Sequence, residues 1–187
     1  MACALNDGEN AKAHGTWVHK SKEIIIEDDE RGLVAVHLDI YDTTGDEKYS
    51  TIPKPYYGGA HGAIIMYDLT NKDTFEDVSL WVHESQKCIK SDRSCVLYAL
   101  GTKKDLVNTD PKGRKVSRKD LKEITMRKQH LTVLGEIDCK SKKHVGSVLE
   151  EVAHSLIDTI PHKIKTSAAF KAEVAAHEPA SCGCILI

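Results

Sequence analysis

Three short stretches of this chain carry residue types whose spacing could do chemistry. In YDTTGDEKY, residues 41–49, Asp42 and Gly45 directly follow the alternating run LVAVHLDI. A strand that ends in D-x-x-G aims a carboxylate and a backbone N–H at a bound nucleotide's metal and last phosphate. In GTKKDL, residues 101–106, Asp105 follows an apolar run and offers two carboxylate oxygens able to accept a pair of adjacent N–H donors. The sequence ends CGCILI, in which Cys184-Ile185-Leu186-Ile187 fits C-a-a-X and makes Cys184 a candidate prenyl acceptor, with Cys182 placed for a second lipid.

A triphosphate site also needs a cradle. A phosphate loop reads G-x-x-x-x-G-K-[ST], its N–H groups cupping the phosphates and its Lys bridging the last two. The N-terminal region offers NDGENAKAHGTW, where Gly8 and Gly15 have the wrong spacing and no Gly-Lys-Ser/Thr follows. Residues 1–21 would have to supply a strand of about 5 residues, the loop, a helix of about 11 and a switch loop, which do not fit. The loop is therefore expected to be absent from residues 1–187 rather than degenerate.

The elements that must position these residues alternate strand with helix. Glu23–Glu27 (EIIIE), an acidic turn at Asp28–Gly32 and the alternating Leu33–Ile40 read as a hairpin, with Val34, Val36, Leu38 and Ile40 on one inward face. Ala63–Tyr67 and Cys95–Leu100 are short continuous apolar runs typical of parallel strands buried on both faces, and Leu131–Ile137 is a weaker run of that kind. Helical spacing predicts helices over Asp73–Lys90, Ser117–Gln129 and Val145–Ile160. Ser117 with Asp120 forms a capping-box pattern. This order predicts an α/β fold, a doubly wound, mostly parallel sheet with helices on both faces. Sites in such sheets form beyond the carboxyl ends of strands. Asp42–Gly45, Thr102–Asp105 and Asp138–Lys140 all fall there.

Bulk composition narrows the classes. The 187 residues are 41% apolar and 29% charged with a net charge of −2, which fits one soluble domain and argues against nucleic acid as a partner. No apolar run approaches the ~20 residues that span a bilayer. The start shows no signal-peptide pattern. The six cysteines form no CxxC pair and the ten histidines are scattered, so a structural zinc site is not expected.

From about Leu33 to Ile160 the chain resembles the Ras superfamily of small GTPases, and most closely its Rab branch. LDIYDTTGDEKY, YYGGAHGAIIMYDLT, GTKKDL and EIDCKS appear in family order, each after its proper strand. The resemblance implies GTP/GDP and Mg as ligands. Asp42 would hold the magnesium through water, Gly45 would meet the γ-phosphate and Thr102, Lys103 and Asp105 would hold the base. Lys103 would lay its stem along the purine face. Cys139 and Lys140 stand where the family has Ala-Lys. Two departures matter: Thr44 replaces the usual Ala, and Asp46 replaces the hydrolytic Gln. A carboxylate beside a triphosphate is repelled by it and cannot donate as an amide does. Hydrolysis is therefore expected to be poor.

The family's first strand lies mid-sheet, between the strands at Leu33–Ile40 and Ala63–Tyr67, and this chain has no counterpart ahead of the hairpin. Leaving two ladder edges buried and unpaired costs roughly 1–3 kcal/mol per unsatisfied group. Either residues such as His14–His19 fill that gap, or the native chain carries more at its N-terminus, as a truncated product of a normal Rab gene would. Among recognition aromatics, Tyr41, Tyr56 and Tyr57 match family positions and Trp17 aligns loosely. The switch threonine that completes magnesium coordination has no convincing match, Thr16 being only a candidate.

The expected layout is a divergent segment at 1–21, a Rab-like domain at 22–161 and a flexible hypervariable tail at 162–187. Two functions stay open: a membrane-anchored guanine-nucleotide switch in vesicle traffic with impaired GTP binding and hydrolysis, or a nucleotide-independent interaction protein (a pseudo-GTPase). Either would sit on the cytoplasmic face of endomembranes or the plasma membrane through its prenyl group. The expected partners are Rab-type effectors, regulators and the prenylation machinery.

Overall fold

The computed structural model describes residues 12–14, 17–30, 32–43, 60–88, 95–128, 130–159 and 181–186. Gly45, Asp46, Thr16, Tyr56, Tyr57 and any arrangement of residues 44–59 lie outside them.

The hairpin is longer than the alternating run alone implies. β2 (Trp17–Asp28) pairs antiparallel with β3 (Gly32–Thr43) over their full length, from Trp17 opposite Thr43 to Asp28 opposite Gly32. Asp28 accepts the Glu30 N–H at 3.1 Å, and Gly32 supplies the positive φ (74°) that lets the chain re-enter the sheet. Val34, Val36, Leu38 and Ile40 are all buried, as their alternation predicts. A short β1 (Lys12–His14) pairs with the outer edge of β2.

The rest alternates as expected. β4 (Gly62–Asp68) leads to α1 (Lys72–Glu76) and α2 (Val78–Cys88), and β5 (Val96–Thr102) leads to α3 (Lys104–Thr109). After α4 (Arg118–Arg127) come β6 (Leu131–Glu136) and α5 (Lys142–Thr159). The single helix expected from Asp73 becomes two that meet at Asp77, which keeps helical backbone: its N–H donates to the Asp73 carbonyl and its carbonyl accepts from the Trp81 N–H, both at 3.0 Å. The Ser117–Asp120 capping box forms in both directions: Asp120 N–H donates to the Ser117 hydroxyl at 3.2 Å, and Ser117 N–H to the Asp120 carboxylate at 2.7 Å.

Sheet order is β1-β2-β3-β7-β4-β5-β6, where β7 is Ser181–Leu186. Two expectations are corrected by that strand. The central position is filled, and not by His14–His19: β1 and the start of β2 lie at the far edge of the sheet, held there by the extended hairpin register. Residues 181–186, assigned to a flexible tail, instead run parallel to both β3 and β4. SCGCIL carries no proline, so each of its residues keeps the N–H that a ladder on either side needs.

The core lies in two layers. On one face α5 brings Val145, Val148, Leu149, Val152 and Leu156 onto Leu38, Ile40, Ile64 and Tyr98. On the other, Ala63, Ile65, Tyr67 and Leu97 pack with Phe75, Val78, Val82 and Ile124 from α1, α2 and α4. β4 thus sends alternate residues into opposite cores, the signature of a doubly wound sheet. In β6 an extra residue shifts the register with β5 between Ala99 and Leu100, and Gly135 takes the positive φ (97°) of that bulge.

Candidate functional site

At the carboxyl edge of the sheet the loops after β5 and β6 are tied together by backbone. The Ile137 N–H donates to the Gly101 carbonyl at 2.8 Å, and the Lys104 N–H to the Ile137 carbonyl at 3.1 Å. These bonds bring GTKKD against IDCK, segments the sequence keeps far apart. Lys140 Nζ then donates to Asp105 Oδ2 at 2.8 Å. That bond, with further help from the ammonium charge, holds the Asp105 carboxyl below its usual range and raises Lys140. Asp105 stays ionised and acceptor-only at neutral pH, as recognition of two N–H donors requires.

Asp105 is placed by its position in the first turn of α3, which begins at an unusual residue. Lys103 is the helix's N-cap with φ 63°, and among the described residues it is the one non-glycine with positive φ. Such a conformation costs of order 1–3 kcal/mol and persists where the surroundings impose it. Here main-chain bonds hold the turn, the Lys104 N–H donating to the Ile137 carbonyl at 3.1 Å and the Leu106 N–H to the Lys103 carbonyl at 3.0 Å, while Lys103 Nζ lies 3.0 Å from Asp68 Oδ2 at the end of β4. With its charged end fixed, the Lys103 side chain keeps 35% of its surface exposed. Its methylene stem can still flank a planar ring.

Asp68 is the residue sequence reasoning missed. Burial by itself would raise its carboxyl, yet it lies below the usual range because the Thr70 hydroxyl and N–H and the Lys103 ammonium stabilise the charge. Thr70 donates to Asp68 Oδ1 from Oγ1 at 2.7 Å and from N at 2.8 Å. The signal was in the sequence: YDLT at the end of an apolar strand puts an acid and a threonine two apart, the spacing of an Asx-type turn.

Thr102 is fully buried and donates from Oγ1 to the Tyr67 carbonyl at 2.8 Å. Its side chain thus couples β5 to β4. Cys139 is half-buried and packs against the α5 core, leading directly into Lys140. The Lys140 N–H donates to Asp138 Oδ1 at 2.8 Å, closing the turn that presents both residues.

Asp42 lies near the end of β3, half-buried, its carboxyl raised by desolvation and partly lowered again by positive charge including Lys20. Among the described residues no group of three His, Cys, Asp or Glu is placed to hold a metal. Magnesium favours six oxygens in near-octahedral array. Asp42 alone does not supply such a set, so the described residues do not form a magnesium site.

The sequence comparisons agree with this geometry. The Ras family model matches residues 12–158. The chain is 36% identical over 130 residues to the GTP-binding protein ypt4 of Schizosaccharomyces pombe, covering 70% of this chain and 51% of that protein. It is 35% identical over 122 residues to Ras-related protein Rab-19 of Mus musculus, covering 65% and 53%. To Ras-related protein Rab-18 of Caenorhabditis elegans it is 32% identical over 124 residues, covering 66% and 57%. The chain spans about half the length of the curated relatives it matches. A doubly wound sheet with GTKKD and IDCK joined at its carboxyl edge, matched by the family model over most of its length, makes this chain a member of the Ras family, in its Rab branch.

Proposed function

We infer that residues 1–187 form a lipid-anchored Rab-type protein that keeps the family's guanine-base site without its phosphate grip. Its work in vesicle traffic would run through effector and regulator proteins. The observation that carries this reading is the Asp105–Lys140 bond, which assembles the base site from two distant motifs. A Gly-rich cradle with its Lys and magnesium supplies most of the hold on a nucleoside triphosphate. Residues 1–187 contain no such run, and Asp46 stands where an amide would orient water. GTP and GDP are thus bound weakly and GTP is hydrolysed negligibly by this chain. Cys184 and Cys182 are the lipid acceptors, placing the protein at the cytoplasmic face of membranes.

Titration of residues 1–187 with guanosine, GTP and adenosine tests the reading. Weak binding is expected, with guanosine and GTP within a few-fold of each other and adenosine weaker than both. Tight, magnesium-dependent GTP binding with guanosine far weaker would overturn it.

The second reading, an interaction protein with no nucleotide cycle, is favoured by one feature. In the resemblance the central strand leads into the phosphate loop, whereas here SCGCIL holds that place. Guanosine binding no stronger than adenosine binding would select this reading.

A further inference from the structure

The central strand Ser181–Leu186 contains Cys182, Cys184 and all but the last residue of the lipid-acceptor signal. β7 pairs with β3 from His37 opposite Ser181 to Asp42 opposite Leu186, and with β4 from Gly62 opposite Cys184 to Ile64 opposite Leu186. Position 184 therefore sits in a row between Ile40 and Gly62. Ile40 is 1% exposed, and a Cβ at Gly62 would meet the Tyr98 ring at 3.2 Å and Leu156 at 3.4 Å. The two residues flanking that position, Ile40 and Gly62, are thus each closely packed against their own neighbours.

We propose that Ser181–Leu186 is a releasable central strand, and that its residence between β3 and β4 withholds Cys184 from lipid transfer. The biological side of this proposal rests on the lipid-acceptor reading above. Prenylation is a thiolate displacement: Cys184 loses its proton to solvent, its sulfur attacks the first carbon of an allylic isoprenoid diphosphate, the C–S bond forms and the C–O bond to diphosphate breaks. The transferase must surround an extended, unpaired C-a-a-X end to do this. A segment engaged on both sides by parallel ladders cannot be so surrounded.

Release also has a structural consequence. It leaves the facing edges of β3 and β4 unpaired beside Leu38, Ile40, Ala63 and Ile64, each at most 1% exposed with the strand in place. Buried N–H and C=O groups there would lack partners. The slot therefore favours the docked strand until another ligand, the transferase or a membrane, holds the released end.

The test uses the full chain, a synthetic peptide of residues 181–187, and Gly183→Pro, which removes one ladder donor but leaves C-a-a-X intact. A prenyltransferase that reads C-a-a-X ends, supplied with geranylgeranyl diphosphate, should modify the peptide readily and the full chain about tenfold or more slowly. Gly183→Pro should recover most of the peptide's rate. Because that variant could also disturb folding, hydrogen exchange on the parent chain gives a second reading, with the amides of 182–186 expected to be protected relative to the peptide. Equal lipid transfer to chain and peptide, or exchange of 182–186 at the peptide's rate, would overturn the proposal. A peptide that accepts no lipid would instead overturn the lipid-acceptor reading, and the releasable strand would then stand or fall on exchange alone.

Discussion

Lys140 Nζ lies 2.8 Å from Asp105 Oδ2, so the Asp105 carboxylate is engaged on one oxygen by the neighbouring motif. The Lys140 side chain is 79% exposed, so the pair is screened by water and salt. Its value is in orientation, since it fixes the direction in which Asp105 presents its acceptors.

The first prediction follows from that arrangement. Asp105→Ala should leave the thermal midpoint nearly unchanged, because the pair is exposed. It should erase the preference for guanosine over adenosine, a loss of about tenfold or more where two hydrogen bonds are given up. Parallel titrations of both nucleosides by calorimetry decide it, and an unchanged ratio counts against the base site.

A second prediction concerns Gly101. A Cβ there would lie 3.0 Å from the Tyr67 hydroxyl oxygen and 3.2 Å from Leu69 Cδ2. Gly101→Ala should destabilise the fold by about 1–3 kcal/mol through overpacking. The Tyr67 hydroxyl is buried without a hydrogen-bond partner, and burial pushes its pKa above the usual tyrosine range. Tyr67→Phe should accordingly be neutral or stabilising by up to about 1 kcal/mol. Combining the two should recover part of the Gly101→Ala loss in urea denaturation; strict additivity would mean the hydroxyl is not the obstacle.

A third prediction concerns Arg114 and Glu136. Arg114 donates to both Glu136 oxygens at 2.7 Å, and to the Val116 carbonyl at 3.1 Å, fastening the loop before α4 to β6. Glu136→Gln should cost about 1.5–3 kcal/mol.

The same pair sets a pH dependence. The Arg114 hydrogen bonds hold Glu136 below its ordinary value of 4.5 despite partial burial. A depressed folded-state pKa gives stability that is complete above the ordinary value and lost as pH falls below it. Parent stability should thus decline on acidification below about 4.5, and Glu136→Gln should flatten that decline. Equal slopes for the two proteins would remove Glu136 from the account.

A fourth prediction tests the cap. Ser117→Ala removes the hydroxyl that accepts the Asp120 N–H and should cost about 1 kcal/mol. Ser117→Asp, which restores an acceptor, should recover most of it in the same denaturation series. Failure to recover would leave Asp120 and its bond to Lys72 as the main tether of the α4 start.

Legibility followed the range of the physical signal. Alternation at Val34, Val36, Leu38 and Ile40, and the stripe from Val145 to Ile157, are local patterns, and the structure buries both. The capping box is local too. What escaped was set by pairing at a distance. Nothing in WVHKSK announces a strand, because those residues join the sheet only through β3. Nothing in SCGCIL distinguishes a central strand from a lipidation signal, since both call for small and aliphatic residues. In the site, GTKKD and DCK could be read as chemistry, whereas the Lys103–Asp68 anchor required β4 and β5 to be seen side by side.

The position of β7 also orders the synthesis of the molecule. A ribosome delivers residues from the first onward, so β3 and β4 emerge long before the strand that separates them. Pairs such as His37 with Ser181 join segments separated by most of the chain, a contact of high sequence separation that slows folding. Until residue 186 has been made, the nascent sheet is two pieces with open inner edges, the hairpin on one side and β4-β5-β6 on the other. Unpaired edges of this kind template aggregation, so the chain should depend on chaperone cover until that strand has been made.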